Sequence, residues 1–389
     1  MTEHLTAALE SIPVPPSGVT AEGLLRRAKR AGQRRRRIMI GAAAGTTALA
    51  MGITAAAFGR NAPEPVAAAP SSPPAVSAVW KVERLPLPAG IDENVNVTAI
   101  DPTGRFIGGF IDKETDQQSI LWDNGVPTII SPPARANNFV LLAVNSSGVA
   151  VGSYSRWGAG GEQQAWQYRD GVLTMLPAPD GDKVLNVNGI NSHGDLAGVS
   201  APSVSSSPVR AVVWTAAEPR AAKVLETVED RQFAHGINDA RFVSGSIGDH
   251  GGDPCVWEPN GALRKLPTLG SHPHGVALQV NAQWAAGALY KSDTATPSTL
   301  PARWDLRTGE LRTYPGYDGS ASAADDGTVL IKSATLMTPT LIGPDGTVTE
   351  LPLPADAKPG QARPVAMNRD ATVVIGGRMG YPPLIWRKS

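Results

Sequence analysis

Short apolar runs alternate with polar turn residues throughout residues 79–389, and the pattern repeats about every 44 residues. In each copy a small residue and an apolar residue lead into a turn. The turn residues stand at positions 101, 145, 191, 238, 281, 324 and 368, and all are Asn or Asp except Ala324. Runs this short, bounded by Asn, Asp and Gly, predict strands rather than helices.

Two other residue types keep the same phase. A second glycine follows the turn residue by seven positions in four copies and is displaced by one position in two more, giving Gly108, Gly152, Gly198, Gly245, Gly287 and Gly376. A later strand ends in tryptophan in six copies, at Trp122, Trp166, Trp214, Trp257, Trp304 and Trp386, and Ile342 takes this place in the sixth. Another turn and a Leu-Pro strand follow, so each copy predicts four short strands.

Four strands in about 44 residues form the unit of a β-propeller blade. We therefore predict an all-β fold with seven blades, while the weakness of copies five and six leaves six or eight as alternatives. The seventh copy lacks its last strand, because only 21 residues follow Asn368. Residues 82–86 match that strand, so the N-terminal strand of the domain is predicted to complete the last blade and leave no open edge.

The repeated tryptophan is expected to pack between neighbouring blades, where it contributes a large apolar surface and one N–H to be satisfied. A tryptophan stripe that stacks on sugars is the alternative. Trp157 and Trp284 lie outside the repeating phase. Trp157, in the glycine-rich stretch 155–161, is the better candidate for an exposed contact, and a buried loop edge is its alternative.

The segment before the repeats has a different composition. Residues 1–37 carry eight Lys/Arg and three Glu, a net charge of +5, and residues 38–58 carry no charge. A helix of that length spans a bilayer core, and the arginines at its start place the N-terminus in the cytoplasm. Residues 59–78 contain five prolines and predict an extended tether. The domains are thus a cytoplasmic tail (1–37), a transmembrane helix (38–58), a linker (59–78) and an extracytoplasmic propeller (79–389).

Whether segment 38–58 is retained is a separate question. The run at 35–39 is similar to a twin-arginine export signal, and Ala55–Ala57 offers small residues for cleavage. The long region before the apolar stretch favours an uncleaved single-pass anchor at the cell membrane. A buried soluble helix is the remaining alternative.

Charge and cysteine content exclude several function classes. The chain has 35 basic and 35 acidic residues, which is not the balance of a nucleic-acid-binding protein. Its one cysteine, Cys255, excludes an internal disulfide and a cysteine-based zinc site, and it is expected to be a small buried residue.

Candidate chemistry is sparse. His250 in the polar stretch 249–255, the pair His272 and His274, and Asp325-Asp326-Gly327 contain metal-ligating residue types, but their spacings match no standard site and turns explain them equally well. Nucleophile-elbow, Walker and dinucleotide motifs do not occur in the sequence. We therefore assign no catalytic, cofactor-binding or metal-binding residue and predict no cofactor and no enzymatic activity.

The pattern of Ile-Asn-x-x-Gly, a glycine seven positions after the Asn, and an apolar strand ending in Trp resembles the HAF-type extracellular repeats of bacterial envelope proteins, over residues 79–389. The arginine-rich tail and Ala-rich span resemble actinobacterial membrane proteins found beside extracytoplasmic-function sigma factors. The resemblance implies a propeller fold and no site residues. We expect a binding or interaction module for a protein or glycan, with a signalling regulator and a polysaccharide-active enzyme as alternatives.

Overall fold

A computed structural model describes residues 79–389 except 92–93, 114–115, 135, 157–161, 204–207, 226, 228, 230, 249–251, 292–298, 333–337, 358–361 and 379–380. All regular secondary structure in the described residues is β-strand. Within this part of the chain no helix is long and apolar enough to cross a membrane. The predicted tail (1–37), transmembrane helix (38–58) and linker (59–78) lie outside it.

The strands form seven separate four-stranded antiparallel sheets, which confirms seven blades. Blades 1 and 2 contain β2 (Val95–Ile100), β3 (Phe106–Ile111), β4 (Gln118–Asp123), β5 (Val126–Ile130), β6 (Asn138–Val144), β7 (Ala150–Arg156), β8 (Glu162–Arg169) and β9 (Val172–Met175). Blades 3 and 4 contain β10 (Lys183–Ile190), β11 (Leu196–Ala201), β12 (Arg210–Thr215), β13 (Glu218–Val224), β14 (Gln232–Ile237), β15 (Val243–Ile247), β16 (Asp253–Trp257) and β17 (Leu263–Lys265).

Blades 5 and 6 contain β18 (His274–Val280), β19 (Trp284–Tyr290), β20 (Thr299–Asp305), β21 (Leu311–Thr313), β22 (Ser320–Ala323), β23 (Val329–Lys332), β24 (Thr340–Ile342) and β25 (Val348–Glu350). Blade 7 contains β26 (Pro364–Met367), β27 (Val373–Arg378), β28 (Tyr381–Lys388) and β1 (Trp80–Arg84). The innermost strand of each blade contacts those of both neighbours, so seven inner strands surround one axis.

The last blade is closed by the first strand, as predicted. β1 pairs antiparallel with β28, with Val82 opposite Trp386, and the Leu85 N–H continues the ladder to the Pro383 carbonyl at 2.9 Å. The strand begins at Trp80, two residues earlier than the sequence match indicates. Because this blade is built from both ends of the propeller, the ring can open only if β1 separates from β28 along its whole length.

The hydrophobic core is divided among the blade interfaces. Each of seven buried apolar clusters joins residues of two adjacent blades; Trp122, for example, packs with Leu85, Val373 and Ile385 of blade 7. The six repeated tryptophans are at most 1% exposed. Packing between blades is therefore the role of this tryptophan, as predicted.

One tryptophan departs from the predicted phase. Trp214, Trp257, Trp304 and Trp386 stand opposite the residue two positions before the second glycine, and Trp122 has the same place relative to Gly109. In blade 6, Ile342 takes this place opposite Val329. In blade 2 this place belongs to Tyr168, opposite Ala150, whereas Trp166 lies opposite Gly152 itself. Trp166 instead stacks on Phe139, with ring centroids 4.7 Å apart.

In blade 1 the second glycine of the repeat is not the predicted Gly108. A Cβ on Gly109 would come within 2.3 Å of the Asn96 carbonyl oxygen, and one on Gly245 within 2.1 Å of the Phe233 oxygen, so Gly109 and not Gly108 is the equivalent residue. The offset from the turn residue varies because the turns differ in length. Asp101 closes its turn with Phe106, five residues on, whereas Asn145 closes with Val149, four residues on.

Blade 6 deviates from the others in several coupled positions. Ile331 replaces the glycine and Ile342 replaces the tryptophan, and both are buried. The larger residue at the glycine place thus compensates for the smaller residue at the tryptophan place. Arg303 of blade 5, which is 6% exposed, fills space at the blade 5–6 boundary. Its guanidinium lies 4.0 Å from the ring centre of Trp284 and donates a hydrogen bond to the Gly327 carbonyl.

Candidate functional site

The two faces of the ring differ in regularity. We call Asn-turn face the side that carries the turns beginning at residues 101, 145, 191, 238, 281, 324 and 368. We call loop face the opposite side, where the second strand of a blade connects to the third and each blade connects to the next. Asn-turn-face turns close after three to five residues, as in Asn281–Trp284 and Asp101–Phe106. Loop-face connections run from two residues (379–380) to thirteen (351–363).

The Asn-turn face is held by a chain of side-chain amides that point from blade to blade. The Nδ2 of Asn145 donates to the Asn191 carbonyl (3.0 Å), that of Asn191 to the Asn238 carbonyl (3.1 Å), and that of Asn238 to the Asn281 carbonyl (2.7 Å). Asn281 continues to the Ala324 carbonyl at 3.0 Å. The repeated Asn therefore ties blades 2 to 6 together as well as closing its own turn.

Backbone bonds and an ion pair continue the ring where the amides stop. The Asp325 N–H donates to the Arg369 carbonyl (2.8 Å) and the Arg369 N–H to the Pro102 carbonyl (3.2 Å). The Arg369 guanidinium contacts the Asp325 carboxylate at 2.6 Å, and this hydrogen bond raises the pKa of Arg369.

A second inter-blade ion pair joins Arg241 to the buried carboxylate of Asp195 at 2.8 Å. Burial opposes ionisation of Asp195, but hydrogen bonds from the Ala216 N–H and from Arg241 outweigh it and lower the pKa. These four charged groups of the Asn-turn face are thus used in contacts between blades.

A β-bulge interrupts the innermost strand at the same level in six blades, and in two of them the bulge side chain bonds to the next blade. Thr98 Oγ1 donates to the Leu141 carbonyl, and Asn188 Nδ2 donates to the Ala234 carbonyl at 2.8 Å. The bulge residues of six blades are Thr98, Leu142, Asn188, His235, Leu278 and Val365. Because they lie at the same level of the innermost strands, we call these six residues the bulge belt.

His235 is the titratable member of this belt. It is half-buried, and among the described residues its ring makes no hydrogen bond or ion pair. Burial lowers the pKa of His235 to about 4, so the ring is neutral at physiological pH.

Three residues at the loop face also have shifted pKa values. Lys332 ends β23 and is half-buried, and burial lowers its pKa to about 8. Tyr290 ends β19 opposite His274, and burial raises the pKa of its hydroxyl to about 12. His272 lies in the linker before β18, and burial together with Lys291 lowers its pKa.

The residues singled out in the sequence are not brought together. Asp325 pairs with Arg369, whereas Asp326 accepts hydrogen bonds from the N–H and hydroxyl of Thr328 in its own turn. Cys255 is buried, as predicted, and burial raises the pKa of its thiol. Trp157 and His250 lie outside the described residues. In the part of the chain that is described, no three His, Cys, Asp or Glu side chains are grouped as metal ligands would be.

Sequence reasoning missed His235 and Lys332. Their signal is visible only when the seven copies are aligned by bulge and glycine positions. Each is then the one titratable residue at a place that the other copies fill with neutral side chains.

The fold is similar to that of several solved structures. No protein-family model and no curated protein sequence matches the chain. A streptogramin B lyase structure superimposes with a TM-score of 0.51 at 15% identity, covering 80% of this chain and 98% of that one. Virginiamycin B lyase from Staphylococcus aureus gives 0.52 at 12% identity, covering 80% and 100%. Oligogalacturonate lyase from Vibrio parahaemolyticus gives 0.52 at 11% identity, covering 80% and 96%. At these identities the similarity establishes the propeller fold alone.

Proposed function

We propose that this protein is a membrane-anchored, extracytoplasmic propeller that binds a protein or glycan of the bacterial envelope through its loop face. One observation carries the proposal: the two faces are built differently. Groups of the Asn-turn face are used in bonds between blades, and its turns are nearly uniform. Loop-face connections vary from blade to blade, and in repeat proteins such variation marks the binding face.

The attachment of the tether supports the same choice of face. The Val79 carbonyl accepts a hydrogen bond from the Ser389 N–H at 2.9 Å, so the chain enters the propeller at the Asn-turn face on the outermost strand of blade 7. A linker at 59–78 therefore joins the ring on the side opposite the loop face. The resemblance to HAF-type extracellular repeats and the basic, then apolar, N-terminal sequence favour the envelope as the location.

A binding screen of the full chain in lipid nanodiscs against envelope glycans and envelope proteins tests the proposal. Charge reversal of an exposed loop-face residue, Lys113→Glu or Lys183→Glu, is expected to weaken a specific interaction. Arg307→Glu, an equally exposed reversal on the Asn-turn face, is the matched control and is expected to leave it intact. If only Arg307→Glu weakened binding, the ligand would bind the Asn-turn face and not the loop face. If no ligand were found in the screen, the binding role would be contradicted.

The N-terminal tail motivates a second candidate, a signalling regulator. Thirty-seven residues are long for a topology signal alone, and eight of them are Lys or Arg. A cytoplasmic partner such as a sigma factor would be recovered by crosslinking from the full chain and lost when residues 1–25 are removed. Equal recovery with and without those residues would argue against this role.

A further inference from the structure

The most exposed large apolar side chains of the described residues lie on neighbouring blades. Val126, Val172 and Val348 begin the outermost strands of blades 1, 2 and 6, and Val79 directly precedes that of blade 7. They are 52–67% exposed, more than any other large apolar side chain that the structure describes. Because blades 6, 7, 1 and 2 follow one another around the ring, we call these four valines the apolar arc.

The apolar arc lies on the rim of the Asn-turn face. In blades 1–6 the third strand ends at this face and a turn leads into the outermost strand, so the first residue of that strand lies at the rim. In blade 7 the Val79 carbonyl accepts the Ser389 N–H at the same end. The outermost strands of blades 3, 4 and 5 begin instead with Glu218, Leu263 and Leu311, and both leucines are half-buried. Exposed valine at this end is therefore confined to one side of the ring.

Blade 7 adds a group of cations to the arc. Lys81, Arg387 and Lys388 are exposed, and Lys81 stands directly opposite Arg387 in the strand pair. Like charges at directly opposed positions destabilise a strand pair, so an anion that binds both would relieve the repulsion. The half-buried Trp80, opposite Lys388, supplies an indole ring of the kind that is enriched where proteins meet lipid headgroups.

Charge divides the rim in the same way. The rim segments on the arc carry four basic and three acidic residues, and those of blades 3–5 carry one basic and four acidic residues. Of the acids on the arc, Asp123 pairs with Arg105, and Asp345 accepts hydrogen bonds from Thr347 in its own turn. The segments compared are 79–81, 123–126, 169–172, 343–348 and 387–389 on the arc, and 215–218, 258–262 and 305–310 outside it. The arc is thus the part of the rim that suits an anionic surface.

The predicted tether leads to the same place. Residues 59–78, if fully extended, reach about 60 Å, so the tether allows the propeller either to stand away from a membrane or to touch it. It joins the propeller at Val79, within the arc, and so brings this part of the rim to the side that faces the membrane. Tethering also raises the effective concentration of the propeller at the bilayer, so a weak contact is enough.

We propose that the apolar arc and the cations of blade 7 dock on the surface of an anionic lipid bilayer. The inference rests on the proposed membrane anchor and adds an orientation, with the loop face directed away from the bilayer. The valines and the Trp80 ring enter the boundary between headgroups and acyl chains, and Lys81, Arg387 and Lys388 pair with lipid phosphates. Contacts of this kind gain their strength from apolar burial and charge attraction together.

The test compares two label positions in the full chain in nanodiscs. A fluorescent label is attached at Val172→Cys or at Asp180→Cys, which is exposed on the loop-face linker after the same outermost strand. Native Cys255 is buried and does not compete for the label. Discs of phosphatidylcholine and phosphatidylglycerol contain a spin-labelled lipid that quenches a label close to the bilayer. We expect strong quenching at position 172, little at 180, and weaker quenching at 172 in discs without phosphatidylglycerol.

Two variants separate charge from apolar contact. Arg387→Glu is expected to lower the ratio of docked to undocked protein by about fivefold or more. Its new carboxylate stands opposite Lys81 and supports the strand pair, so the fold is retained. Val126→Asp is expected to weaken docking at a position too exposed to matter for stability. Arg307→Glu and Ala262→Asp, at exposed rim positions outside the arc, are the matched controls and are expected to keep full quenching.

Equal quenching at the two label positions, or quenching that neither Arg387→Glu nor Val126→Asp reduces, would overturn the lipid contact. Shielding of the label at position 172 from iodide only when a disc holds two copies would identify a second copy as the occupant and would also overturn it.

A chain that does not enter the discs would contradict the anchor. The same labelled protein mixed with vesicles of the same lipids then decides the contact, because quenching at position 172 supports docking and its absence overturns it. The loop-face variants Lys113→Glu and Lys183→Glu leave the arc intact, so a failed lipid contact and a failed binding function are distinguished.

Discussion

The indole Nε1 of Trp304 donates a hydrogen bond to the Pro267 carbonyl at 2.8 Å, and this bond ties the third strand of blade 5 to the linker that leaves blade 4. Trp122, Trp214 and Trp386 make the same bond to Pro86, Pro177 and Pro352 at 2.7–2.9 Å. Thus the Trp of one repeat and the Leu-Pro of the preceding repeat form one structural unit. Trp257 lacks such a proline before it, and among the described residues its buried Nε1 has no acceptor.

This difference predicts unequal costs for the same substitution. Trp304→Phe leaves the Pro267 carbonyl without its donor and is expected to lower the free energy of unfolding by about 2–4 kcal/mol. Trp257→Phe removes similar volume but no hydrogen bond, so its cost is expected to be smaller by about 1 kcal/mol. Urea denaturation of the two variants measures the difference. A cost for Trp257→Phe equal to or above that of Trp304→Phe would show that the indole bond contributes nothing.

A second prediction concerns the repeated glycine. In Gly245→Ala the new Cβ would lie 2.1 Å from the Phe233 carbonyl oxygen and 2.6 Å from the Trp257 ring, so the strand pair must separate. We expect a loss of about 3 kcal/mol in unfolding free energy. Gly270→Ala is the control, because nothing lies within 4 Å of its added Cβ, and it is expected to stay within about 0.5 kcal/mol of wild type. Equal effects of the two substitutions on thermal unfolding would contradict the steric explanation.

The amide chain of the Asn-turn face gives a third prediction. Asn191→Asp keeps an acceptor for the Asp195 N–H but loses the donor to the Asn238 carbonyl and places a second carboxylate beside Asp195. We expect about 2–3 kcal/mol of destabilisation at neutral pH, partly relieved in acid, where a protonated carboxyl donates again. Asn260→Asp is the control, since exposed Asn260 uses only its side-chain oxygen, towards the Ala262 N–H. If Asn191→Asp lowered the free energy of unfolding no more than Asn260→Asp does, the amide chain would not contribute to holding the ring together.

His235 makes stability depend on pH. The pKa of His235 is about 4 in the folded protein and 6.5 when the ring is exposed. Below pH 6.5 the unfolded chain therefore binds a proton on this ring, whereas the folded protein does not until the pH approaches 4. Stability is therefore expected to fall between pH 6.5 and 4, by about 1–3 kcal/mol, and this contribution to be constant above 6.5. His235→Gln is expected to flatten this part of the profile, measured by denaturation midpoints across pH. The exposed His193→Gln is the control, and an unchanged slope in His235→Gln would disprove the role of His235.

The sequence predicted the fold correctly but was less successful in predicting which side chains contact each other inside it. Turn residues every 43–47 positions define seven units even though Ala324, Ile331 and Ile342 replace the usual residues of blade 6, because local turn chemistry and strand alternation survive such losses. The assignments of Gly108 and Trp166 to the repeat phase were wrong. A turn one residue longer moves the equivalent glycine to Gly109, and in blade 2 Tyr168 occupies the usual tryptophan place.

The sequence by itself predicted the four-stranded unit, the order of the blades and the closure of the last blade by residues near position 80, since these follow from short-range patterns repeated along the chain. It left six or eight blades as alternatives, and the structure decided for seven. Only the tertiary structure decided which groups meet between blades, such as the Asn145 amide with the Asn191 carbonyl and the Trp304 indole with the Pro267 carbonyl. Such partners lie tens of residues apart, and a one-residue bulge or a longer turn redirects a side chain to another face. Spacing along one strand therefore cannot show what lies across the interface.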